Sequence, residues 1–109
     1  MLEVMPRELT HPDLEAVTLA KVLSALGDPV RLHVMNIIAD GNEHTRQDFN
    51  VQLAQSTFSH HIKVLRDAGL LLQRMEGTRC YVSLRDEARD RFAAVLDSVL
   101  ATDRAERVK

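Results

Sequence analysis

The run Gln55-Ser56-Thr57-Phe58-Ser59-His60-His61-Ile62-Lys63-Val64-Leu65-Arg66-Asp67-Ala68-Gly69 constrains the fold more than any other part of the chain. Apolar residues at Phe58, Ile62, Leu65 and Ala68, with Val64 beside them, lay one stripe down a single helix face. Gly69 supplies the left-handed residue that ends a helix. The opposite face carries Gln55, Ser56, Ser59, His60 and Lys63, all hydrogen-bond formers and none acidic. Solvated helix faces usually mix Glu with Lys. Short donors at a helix start, with a cation further on, suit an element that reads base edges in the DNA major groove. The stretch is therefore read as a recognition helix, with an ordinary amphipathic surface helix as the alternative.

The elements before it follow from caps and periodicity. Residues 1–12 read as a loose arm, because Pro6 and Pro12 discourage a continuous helix. From Asp13 to Leu26 the apolar residues keep a helical period, with Asp13 as one start and Thr18 as a second. Asp28-Pro29 opens the next helix, Asp as N-cap and Pro in the first turn. Its residues Val30, Leu32, Val34, Met35, Ile37 and Ile38 make it a core helix, closed by Gly41. Thr45 caps a short helix over Arg46-Gln47-Asp48-Phe49, and Asn50 ends it in a left-handed conformation. A short helix, a tight turn and a second helix make a helix-turn-helix. Ala54 is a poor cap for that second helix.

After Gly69 the period changes. Leu70–Met75 and Arg79–Leu84 read as two strands around Glu76-Gly77-Thr78, a hairpin whose Arg74 and Arg79 are placed to reach phosphate. A last helix runs from about Asp86 to Ala101, with Phe92, Val95, Leu96, Val99 and Leu100 on one face. So small a domain has no obvious core left for that stripe. It is read as a subunit interface shared with the first helix, including Leu19 and Val22. The expected class is mainly α with a small β-hairpin wing: one winged helix-turn-helix domain over residues 13–109.

Charge bears on the partner. The chain of 109 residues has a net charge of −2, which at first opposes a nucleic-acid partner. Residues 55–85, however, hold Lys63, Arg66, Arg74, Arg79 and Arg85 against Asp67 and Glu76, a local +3. Local field rather than net charge steers a polyanion. Cys80 is the only cysteine, which excludes an intramolecular disulfide and fits a reducing cytoplasm. No apolar run approaches the ~20 residues of a membrane span, and no signal-peptide core is present.

Three motifs occur in one order: Leu23-Ser24-Ala25-Leu26-Gly27-Asp28-Pro29-Val30-Arg31-Leu32, then Ser56 through Leu70, then Glu76-Gly77-Thr78-Arg79-Cys80-Tyr81-Val82-Ser83-Leu84. Together they resemble the ArsR/SmtB family of bacterial winged-helix repressors, over roughly residues 18 to 100. The resemblance implies a homodimer paired through its first and last helices, bound to an inverted repeat of double-stranded DNA, with ligand binding adjusting that complex. Carried over by position, Gln55, Ser56, Thr57, Ser59 and His60 face the major groove. Lys63, Arg66, Arg74 and Arg79 lie near the backbone. For single residues other roles stand beside these: Thr57 at the helix start, His61 packed inward, Arg66 paired with Asp67 or Glu76.

The signal is less legible. One family metal site uses paired cysteines on the short helix, and Thr45–Phe49 has none. Another uses Asp and His pairs on the last helix, which here carries Asp86, Glu87, Asp90 and Asp97 without histidine. His11, His33, His44, His60 and His61 show no recognised ligand spacing. No metal and no cofactor is expected. The remaining options are a small organic effector, oxidation of Cys80, an unusual site using His11 or His44, or no effector. Enzymatic classes lack a nucleophile elbow, phosphate loop or HExxH pattern. The rival class is a winged-helix module that binds protein rather than DNA.

Overall fold

Asp28 nucleates the central helix of the computed structural model, which describes residues 9–108. Its carboxylate accepts from the Val30 and Arg31 amides at 2.8 and 3.1 Å, with Pro29 in the first turn of α2 (Pro29–Ile38). These bonds satisfy amides that have no partner inside the helix. Val34, Met35 and Ile38 are fully buried. Around α2 pack α1 (Leu19–Leu26), α3 (Arg46–Phe49), α4 (Gln55–Asp67), β2 (Arg79–Leu84) and α6 (Ala93–Arg107).

Both candidate starts of the first helix are used, so it is divided. Asp13 caps a single 3-10 turn over Leu14–Ala16, and Thr18 caps α1 through the Lys21 amide at 3.2 Å. Leu14 and Val17 are buried at the break. The expected loose arm over 1–12 needs correction at its end, its residues 1–8 lying outside the described residues. His11 Nε2 accepts from the Gln73 amide at 3.0 Å, and the Pro12 carbonyl accepts from Arg85 Nη1 at 2.7 Å.

The helix-turn-helix forms as its caps require. The Asp48 carboxylate reaches back to the Thr45 amide at 3.0 Å, and Asn50 takes φ +50°. Gly69, at φ +75°, ends α4 under Leu14 and Val17. β1 (Leu71–Glu76) pairs antiparallel with β2, in a register running from Leu71 opposite Leu84 to Glu76 opposite Arg79. The turn is thus Gly77-Thr78 alone, one residue tighter than expected. Backbone bonds of 2.8 and 2.9 Å between His44 and Val82 add the α2–α3 connection to the base of this hairpin.

The last helix is broken at Phe92 into α5 (Asp86–Arg91) and α6, and it continues past Ala101 to Arg107. Phe92, Leu96 and Leu100 lie in the core of the single chain, as does Val22 of α1. This corrects the reading of their stripe as surplus to one domain. Beyond this one-residue break α6 packs against α2, and Asp103 is buried. Asn36 Nδ2 at 2.7 Å and Arg107 Nε at 2.8 Å both donate to its carboxylate. Buried carboxylates require such partners. Among the described residues no helix is long and apolar enough to cross a membrane.

Candidate nucleic-acid interface

Burial of Phe58, Ile62 and Leu65 fixes the rotation of α4 about its axis. It leaves Gln55, Ser56, Thr57, Ser59, His60 and Lys63 exposed together on the outer side. His61 turns inward instead. Its Nδ1 lies 3.0 Å from Arg31 Nη1 and 3.8 Å from the Asp28 carboxylate. Arg31 Nε also donates to the Ala25 carbonyl at 2.6 Å, so these contacts tie α4 to the α1–α2 junction.

The four cations of the reading occupy different environments. Arg79 is exposed at the hairpin tip, and among the described residues no carboxylate lies within ion-pair distance of it. Lys63 is exposed and 2.8 Å from Asp67. A surface pair at this helical spacing is worth about 0.3–0.5 kcal/mol, little enough for a phosphate to displace it. Arg66 is different: its side chain is only 14% exposed, and Nη1 donates to Gln73 Oε1 at 2.5 Å. Arg74 is exposed but fully engaged. Nε and Nη2 donate to Glu43 at 2.6 and 2.9 Å, Nη1 donates to Glu76 at 3.1 Å, and the guanidinium lies 4.2 Å over the Tyr81 ring. Hydrogen bonds to Glu43 and then Glu76 drive its pKa upward.

One polar residue of this surface had no place in the sequence reading. Arg46, the first residue of α3, donates from Nη1 to Gln55 Oε1 at 2.7 Å and from Nη2 to the Leu53 carbonyl. Its guanidinium also lies 4.9 Å from the Phe58 ring centre. A cation in the first turn of a helix opposes the helix dipole, and that was the available signal that Arg46 has other partners. Between α3, the start of α4 and the wing is a cleft of about 340 Å³, lined by Arg46, Gln55, Arg79 and Cys80 among others. Cys80 Sγ accepts from Gln73 Nε2 at 3.1 Å.

α3 contains no sulfur ligand, and Asp103 of α6 is held by Asn36 and Arg107. Both ring nitrogens of His44 face carboxylates, Nε2 that of Asp40 at 2.9 Å and Nδ1 that of Asp48 at 3.2 Å. Among the described residues no three His, Cys, Asp or Glu side chains converge as a metal-binding group. The residues do not fit either family metal site.

A short capped helix, a left-handed turn, an exposed acid-free second helix and an adjoining hairpin define a winged helix-turn-helix protein. Residues 28–71 match the family model described as bacterial regulatory protein, arsR family. Over 87 residues the chain is 32% identical to the arsenical resistance operon repressor of Staphylococcus xylosus, covering 78% of this chain and 83% of that one. It is 28% identical over 82 residues to an uncharacterised HTH-type transcriptional regulator of Methanocaldococcus jannaschii, covering 73% and 92%. A crystal structure of an ArsR family transcriptional regulator shares the fold, with a TM-score of 0.61 at 22% identity over 84% of this chain and 92% of that one. The protein belongs to the ArsR family, and it is a DNA-binding transcriptional regulator.

Proposed function

We propose that this protein is a homodimeric repressor that binds an inverted-repeat operator and is released by a signal other than a metal at the two family sites. The observation carrying this reading is the exposed, acid-free face from Gln55 to Lys63 beside Arg79, which has no carboxylate ion pair among the described residues. Donors on that face would enter the major groove while Arg79 takes a phosphate from the wing. Two-fold pairing would set half-site centres roughly 34–36 Å apart. The chain acts in the cytoplasm, without catalysis. Resemblance to a repressor from an arsenic operon supports the direction of control, while the sulfur-free α3 argues against its signal.

Dimerisation is assigned to α1 and α6, through Leu19, Val95 and Val99 of the expected set together with Leu23. Leu19 and Leu23 remain 49% and 47% exposed, and Val95 and Val99 are half-buried. Val22, Phe92, Leu96 and Leu100 would support that surface from beneath. Replacing both Leu19 and Leu23 with Glu should give a folded monomer by light scattering and circular dichroism, and abolish operator binding. Leu96→Glu should unfold the chain instead. Selecting bound fragments from a genomic DNA pool tests the reading directly: enrichment of one imperfect palindrome supports it, and an unenriched pool overturns it.

A further inference from the structure

The first side chain of α4 does not present a free carboxamide. Gln55 Oε1 accepts from Arg46 Nη1 at 2.7 Å, which turns the carbonyl end of the amide toward α3. Arg46 is itself held at two further points, the Leu53 carbonyl and the Phe58 ring. Ala54 offers no capping side chain, so this guanidinium also secures the turn that leads into α4. With its oxygen engaged by Arg46, the unengaged end of Gln55 is the amide NH2, a donor only. A glutamine that reads adenine needs both ends of the amide against the base edge, its oxygen accepting from N6 and its nitrogen donating to N7.

We propose that Arg46 is a specificity-positioning residue, which holds Gln55 as a pure donor and so directs it to a base edge made of acceptors. Guanine, with O6 and N7 side by side, fits best, and thymine O4 follows. Adenine is disfavoured because its N6 amino group would meet the Gln55 NH2, donor against donor. Cytosine N4 is disfavoured for the same reason. The inference rests on the DNA-binding reading above and names the base class read at one position of each half-site.

The test selects bound sequences from a random DNA pool with the wild type, Arg46→Met and Gln55→Glu. Methionine keeps apolar contact with Phe58 and removes the donors. Glutamate keeps an acceptor for Arg46, suits the first turn of a helix, and replaces the unengaged donor with an acceptor. Guanine should be enriched at one position per half-site for the wild type. That position should relax toward adenine in Arg46→Met and move to cytosine in Gln55→Glu, with other positions unchanged. Substituting 7-deazaguanine there should weaken wild-type binding about tenfold and Gln55→Glu binding very little. Should Arg46→Met fail to fold, the glutamate variant and the modified base decide alone. A wild type that selects a site while its folded variants keep every base preference overturns this inference only. A wild type that selects nothing overturns the DNA-binding reading first.

Discussion

Arg74 and Glu43 meet on the side of the wing through two hydrogen bonds, 2.6 Å from Nε and 2.9 Å from Nη2. The pair joins β1 to the α2–α3 connection, 31 residues earlier in the chain. An arginine so committed braces the hairpin. Its neighbour at the tip, Arg79, has no such commitment among the described residues.

The two wing arginines should therefore behave differently on DNA. Arg79→Ala should weaken binding to all sequences alike and flatten the salt dependence by about 2 units of slope, one phosphate from each subunit. Arg74→Ala should lower affinity with the slope unchanged. Salt titrations of operator binding check this, and an unaltered slope in Arg79→Ala would remove the wing contact.

Gly69 is expected to tolerate no side chain. Its φ of +75° is left-handed, and an added Cβ would sit 3.0 Å from Leu14 Cδ1 and 3.1 Å from Val17 Cγ2. The backbone alone costs a non-glycine residue about 1–2 kcal/mol, and the two buried neighbours have little room to yield. Urea unfolding of Gly69→Ala should show at least that loss at an unchanged m-value.

Two histidines should impose opposite pH dependences on stability. Partial burial of His44 works against its charged form, but hydrogen bonds to Asp40 and Asp48 and their negative charges outweigh it, and its pKa is raised above 6.5. Folding then favours the proton. The contribution is complete below about pH 6.5 and is lost as pH rises through the raised value. For His11, burial first, and then the charges of Arg66 and Arg85, lower the pKa. That contribution is complete above about pH 6.5 and is lost as pH falls below it. The destabilisation caused by His44→Gln should therefore shrink toward alkaline pH, and that of His11→Gln toward acidic pH. Urea midpoints measured from about pH 5 to about pH 9, a range that brackets the free histidine pKa, distinguish the two. Parallel profiles would contradict both assignments.

Operator binding should not respond to a metal at either of the two sites that the family resemblance raised. Soft metals require thiolates, and zinc requires a closed set of His, Cys or carboxylate ligands. α3 has no sulfur, and the His44 nitrogens are already paired to Asp40 and Asp48. Titrating Zn(II), Ni(II), Cu(I) and As(III) into the protein–operator complex, with and without chelator, should leave affinity unchanged. A stoichiometric ion that shifts it tenfold, about 1.4 kcal/mol of coupling, would refute this. Loss of that response in His11→Ala or His44→Ala would locate the ligand.

Much of this architecture was written in short stretches of chain. Asp28 before Pro29, Thr45 three residues before Asp48, Asn50, and Gly69 after an apolar stripe all act within one or two helical turns. Such signals are complete in the local sequence. The exposed face from Gln55 to Lys63 followed as well, because burying Phe58, Ile62 and Leu65 leaves α4 only one rotation. What no stretch contained was the identity of distant partners. The formal charge of Arg74 is the same whether Glu43 or a phosphate takes it. The stripe of Phe92, Leu96 and Leu100 reads alike whether it covers another subunit or, after the break at Phe92, the chain's own α2. Arg46 reaches Gln55 only because the left-handed turn at Asn50 brings α3 back against the start of α4. Periodicity decides which face of an element is buried; only packing in three dimensions decides against what.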